Sequence, residues 1–143
     1  MEFKTAAPQD MLNVGKKIGS MLHGGEIILL YGELGSGKST FAKGIAEELG
    51  ATEAPNSPTF NLMNIYEANK NNIKKIIHAD TYRLKNKEDL ADIGIDEYMC
   101  NEDSVCIFEW PDKMADLLAD KKTIKVAIEY IDQDQRKITV TGL

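Results

Sequence analysis

Residues 32 to 40 read Gly-Glu-Leu-Gly-Ser-Gly-Lys-Ser-Thr, three glycines followed by a cation and two hydroxyls. Gly32, four intervening residues, Gly37, Lys38 and Ser39 match the Walker A spacing, and each position has a physical reason. Glycines at 35 and 37, flanking Ser36, let successive backbone N–H groups turn inward as an anion nest with no Cβ in the way. A helix starting near Lys38 adds its dipole and its free N–H groups. Lys38 would reach the β- and γ-phosphates, and the Ser39 hydroxyl would take one position on Mg²⁺. Thr40 sits where its backbone and hydroxyl could hold the α-phosphate. A turn of the same composition can bind nothing, but here an apolar run precedes it and an amphipathic helical pattern follows, which is the context the phosphate reading requires.

Hydrolysis or transfer of a phosphoryl group needs carboxylates at the ends of neighbouring buried strands. Two segments supply them. "IKKIIHAD" places Asp80 after Ile76 and Ile77, and "SVCIFE" places Glu109 after Val105, Cys106, Ile107 and Phe108. A strand-end carboxylate is often only a surface charge; two of them, where α/β sheets gather their ligands, favour a site. In "NSPT", Pro58 biases Ser57 to extended backbone, and Thr59 could contact magnesium or the γ-phosphate as an ordering switch does. A simple hydroxyl turn is the equal alternative there. Asn86-Lys87-Glu88-Asp89 resembles a guanine-reading motif, but "TYRLK" before it is no buried strand. Asn86 reads better as a helix N-cap with Asp89 complementing the first turn, so GTP is discounted.

The elements that must position these groups follow from periodicity. "EFKTA" alternates weakly as a short edge strand, and Pro8 opens a helix whose apolar residues recur up to Gly24-Gly25. "EIILLYG" is continuously apolar, as a fully buried parallel strand should be. Lys38 to Leu49 is a helix stopped by Gly50. "FNLMNIYEA" and "IKKIIHAD" are strands around the turn "NKNN"; a helix over "KNKEDLADIGIDEY" and the strand "SVCIFEW" follow. Pro111 opens a short helix through Leu118, and two alternating segments around "DQDQ" close the chain as an antiparallel hairpin. The expected fold is a three-layer α/β domain, P-loop NTPase-like, with a mixed, largely parallel sheet over residues 1–143 as one unit.

Bulk properties restrict the partners. The chain has 143 residues, 43% hydrophobic and 28% charged, with a net charge of −6. That acidity disfavours unaided binding to a nucleic-acid backbone. Two cysteines without a C-x-x-C pair argue against a zinc site of the usual spacing and against a disulfide framework. With no signal sequence and no apolar run near the ~20 residues a bilayer requires, the expectation is a cytoplasmic protein with no membrane association.

With the P-loop, "SPTF", "HADTYRL", "GIDEY" and "FEWP" in that order, nearly the whole chain resembles the TsaE family, small bacterial ATPases needed for the threonylcarbamoyl modification of adenosine beside the tRNA anticodon. The resemblance implies that Gly35, Ser36, Gly37, Lys38, Ser39 and Thr40 bind ATP phosphates. Ser39 and Glu109 would ligate Mg²⁺, and Asp80 would stand near the γ-phosphate and the metal. Ser57 and Thr59 would form the switch-like loop; Tyr82 and Arg83 match the family's "YR", and Arg136 sits where relatives tend to carry an arginine. For Arg83 a surface salt bridge is an equal reading. Trp110 follows the metal acid, with no role derivable from sequence. Ser39 stands where threonine is usual, and either hydroxyl can bind Mg²⁺. The implied partners are TsaB and TsaD, with tRNA reached only through that complex. A small P-loop kinase with a small-molecule acceptor is the rival enzyme, disfavoured because Arg83 and Arg136 are the only arginines available for a lid. A nucleotide-gated binding module that scarcely hydrolyses ATP is the third reading.

Overall fold

The computed structural model describes residues 1–51, 63–81, 95, 99 and 101–143. The continuous apolar run becomes β2 (Ile27–Tyr31), at the centre of a seven-stranded sheet. It can be apolar throughout because both its faces are covered. Ile28 and Leu30 join the core beneath the two long helices, while Ile27 and Leu29 join the core on the opposite face with Ile95, Met99 and Leu118.

The other strands are β1 (Glu2–Thr5), β3 (Met63–Lys70), β4 (Ile73–Asp80), β5 (Ser104–Glu109), β6 (Ile124–Tyr130) and β7 (Arg136–Thr141). Their order across the sheet is β1-β7-β6-β2-β5-β4-β3. The inner strands β6, β2, β5 and β4 run parallel. The outer pairings β1–β7, β6–β7 and β3–β4 are antiparallel. This is the mixed sheet expected, with β1 on an edge and the C-terminal hairpin in place. The β3–β4 turn is narrower than "NKNN": Asn71 and Asn72 alone make it, both with positive φ (55° and 67°), the conformation a two-residue hairpin demands and asparagine tolerates.

Helices α1 (Pro8–Ser20) and α2 (Lys38–Glu48) pack side by side on one face. Glycines set their spacing. A Cβ on Gly15 would come within 2.3 Å of the Phe41 carbonyl oxygen, and one on Gly44 within 2.3 Å of the Leu12 carbonyl oxygen. α1 ends earlier than its periodicity suggests. Leu22 is fully buried, yet the chain has left the helix, because the Glu26 carboxylate accepts the N–H groups of His23 (2.8 Å) and Gly24 (2.6 Å) and folds the segment into a turn. After β5, a 3₁₀ turn (Pro111–Met114) runs into a short helix (Ala115–Leu118). Cys106 is buried within β5, as its apolar neighbours suggest. The expected helix over residues 85–98 lies outside the described residues apart from Ile95, which is helical and buried. Among the described residues no helix is long and apolar enough to cross a membrane.

Candidate functional site

The loop between β2 and α2 has the winding that a phosphate cradle would require. Gly35 and Gly37 have φ of +77° and +112°, conformations that a side chain would strain. The Ser36 amide donates to the Glu33 carbonyl (3.1 Å), closing the turn. Ser36 Oγ is buried against Gly32, with no hydrogen-bond partner among the described residues. Gly37 caps α2 with no side chain, and the first turn holds no acid, so the leading N–H groups of the helix are open to an external anion.

Lys38 is the first residue of that helix and only 6% exposed. Its Nζ donates to the carbonyl oxygens of Gly32 and Glu33 and lies 3.8 Å from the centre of the Trp110 ring. Burial pushes its pKa below the ordinary lysine value, against the opposing pull of the Glu109 and Asp80 carboxylates. A phosphate at the loop would offer this ammonium an anionic acceptor in place of the two neutral carbonyls.

β4 and β5 bring the two acids to the same place. Asp80 and Glu109 are register partners in parallel strands, so both project to the face carrying α2. Together with Lys38, Ser39 and Thr40 they line a cavity of about 280 Å³. Glu109 is 3% exposed, and its Oε2 is 2.7 Å from Nε2 of His78, itself buried. Thr81 ties the two strand ends together: its N–H and its hydroxyl each reach the Glu109 carbonyl at 3.0 Å, and the hydroxyl also approaches the Trp110 carbonyl. Trp110 has a φ of +57°, unfavourable for a bulky residue, and that backbone turn is what accompanies its ring's position over Lys38.

Gly35, Gly37, Lys38, Ser39, Thr40, Asp80 and Glu109 therefore converge. Arg136 does not reach the phosphate cavity. Its guanidinium stacks on Tyr130 (4.0 Å), and its Nη1 donates to the carbonyls of Asp132, Gln133 and Gln135 (3.0 Å each). It borders an adjoining cavity of about 150 Å³ that meets the loop at Gly35, Ser36, Gly37 and Thr40. Ser57, Thr59, Tyr82, Arg83, Asn86 and Asp89 lie outside the described residues. Two groups at the site had no sequence-level assignment. Trp110 contacts the cation directly. His78 was detectable only as a polar residue two positions before Asp80, hence on the same strand face.

The donor set suits Mg²⁺. Among the described residues no three His, Cys, Asp or Glu side chains converge as a cage. One hydroxyl and one carboxylate beside a phosphate cradle are what a cation that keeps its waters and takes phosphate oxygens requires.

The family model for threonylcarbamoyl adenosine biosynthesis protein TsaE matches residues 5–138. The chain is 32% identical over 143 residues to the tRNA threonylcarbamoyladenosine biosynthesis protein TsaE of Bacillus subtilis, covering 100% of this chain and 86% of that protein. It is 34% identical to the protein of the same name in Treponema pallidum (98% and 99% covered) and 38% identical to that of Haemophilus influenzae (90% and 80% covered). The crystal structure of Bacillus subtilis YdiB superposes with a TM-score of 0.80 at 28% identity, covering 99% of this chain and 84% of that one. With the match spanning nearly its full length, the chain belongs to the TsaE family, proteins of tRNA threonylcarbamoyladenosine biosynthesis.

Proposed function

We propose that the protein is a Mg²⁺-dependent ATPase serving the tRNA threonylcarbamoyladenosine machinery through the TsaB–TsaD complex. The observation that carries this reading is the meeting of an uncapped helix N-terminus, a desolvated lysine and two strand-end carboxylates around one cavity. The backbone of residues 35–40 binds the phosphates and fixes their direction. Lys38 leaves the Gly32 and Glu33 carbonyls for the β- and γ-phosphate oxygens, where its charge meets the negative charge of the transition state. Ser39 and Glu109 would hold Mg²⁺, which would supply charge neutralisation at the phosphates. Asp80, the register partner of Glu109, would accept a hydrogen bond from the attacking water and orient it. The acidic surface accords with a role exercised through protein contacts and not through tRNA directly.

The test is ATP hydrolysis with and without TsaB and TsaD, scored beside repeated cycles of tRNA modification. Stimulation by the partners, and loss of multiple-cycle modification without this protein, is the expected result. Absence of both would refute the role. Phosphorylation of a small acceptor in step with ATP consumption would establish the kinase reading instead.

A further inference from the structure

Buried in β4, His78 has one polar engagement among the described residues, the 2.7 Å contact of Nε2 with Glu109 Oε2, while Nδ1 has no hydrogen-bond partner. That asymmetry decides the tautomer. A proton on Nδ1 would strand a buried donor and turn a lone pair toward a carboxylate, so the neutral ring carries its proton on Nε2 and donates to Glu109. The reach is diagonal: His78 is the register partner of Ile107, two residues before Glu109, whereas Asp80 faces Glu109 directly. His78 therefore holds the carboxylate from behind and leaves Asp80, its neighbour on the same strand face, to the cavity.

We propose that His78 is a positioning residue for the metal site: by fixing Oε2 of Glu109 it presents Oε1 to the cation. Metal-binding carboxylates are commonly oriented by such hydrogen bonds, and losing one typically costs about 10–100-fold in metal affinity. The inference rests on the reading of Glu109 as a Mg²⁺ ligand. A buried histidine that merely satisfied a buried acid would leave metal affinity untouched when replaced.

The test uses the full-length protein with ADP and Mn²⁺ as the paramagnetic probe, its affinity read by electron paramagnetic resonance. His78→Leu should weaken Mn²⁺ binding about 10–100-fold while ADP affinity without metal stays at the wild-type value. His78→Gln, which keeps an N–H at the position of Nε2, should recover most of the loss. Nitrogen NMR of the metal-free wild type should show His78 in the Nε2–H form. Wild-type Mn²⁺ affinity in a folded His78→Leu protein overturns the proposal, as does a neutral ring protonated on Nδ1; the NMR result decides alone if His78→Leu does not fold. Glu109→Gln separates the two levels: if it leaves Mn²⁺ affinity unchanged, the metal reading itself fails, whereas its loss beside an unaffected His78→Leu defeats only the positioning role.

Discussion

The two long helices begin in opposite ways. α1 satisfies its own N-terminus: Pro8 has no N–H to leave unpaired, and the Asp10 carboxylate accepts the backbone N–H groups of Ala6 (2.9 Å) and Ala7 (3.2 Å). α2, packed alongside, has a glycine cap with φ of +112°, no acid in its first turn, and a buried lysine as its first residue. Both helices carry the same backbone dipole. One chain segment uses it for stability and the other leaves it open, and the open one faces two carboxylates on neighbouring strand ends. The uncompleted helix end is the one at which the proposed function places the phosphates.

Substitutions can break or sharpen that contrast. The largest effect belongs to Lys38→Ala, which removes the charge aimed at the phosphates; ATP turnover should fall about 10²–10³-fold in a steady-state phosphate-release assay, with an unchanged circular dichroism spectrum. Gly44→Ala attacks the contact that seats α2 against α1. Its Cβ would press on the Leu12 carbonyl and on Gly15, which are backbone and cannot step aside, so chemical denaturation should show a loss of about 1–3 kcal/mol. Thr40→Asp gives α2 the acid that α1 has at its third residue. ATP affinity by calorimetry should drop at least about tenfold, while the melting temperature rises slightly because the helix now complements its own dipole by about 0.3–1 kcal/mol. Asp10→Ala performs the reverse on α1: about 0.5–1 kcal/mol of stability should be lost in denaturant, with ATP turnover unaltered.

How far these features could be read in advance depends on whether they are local in sequence. The cradle is local, because glycine spacing, the preceding apolar run and the following helix all lie within residues 26–49, and the structure keeps each of them. Asp80 and Glu109 were legible as strand ends, since an apolar run stopping at an acid needs no partner to be recognised. Their pairing needed the register of β4 against β5, which no periodicity encodes, and the His78–Glu109 contact depends on that same register. Trp110 was illegible for a different reason: its ring reaches Lys38 in concert with a left-handed backbone turn that nothing in "FEWP" announces. The early end of α1 was hidden as well, because Met21 and Leu22 stay in the core after the helix stops and so prolong its apolar pattern. Arg136, carried over by resemblance, borders the cavity beside the loop and not the one lined by Lys38, with its guanidinium held by its own hairpin turn and by Tyr130.

The most direct test of the α2 cradle as the ATP site needs no mutation. Trp110 is the only tryptophan, and its ring lies on the ammonium that phosphate would draw away. Titrating the wild-type protein with ATP, with and without Mg²⁺, should change its emission saturably at one nucleotide per chain, with tighter binding when Mg²⁺ is present. ATP binding registered by calorimetry in the same solutions, with Trp110 emission unmoved, would place the nucleotide elsewhere and contradict the account.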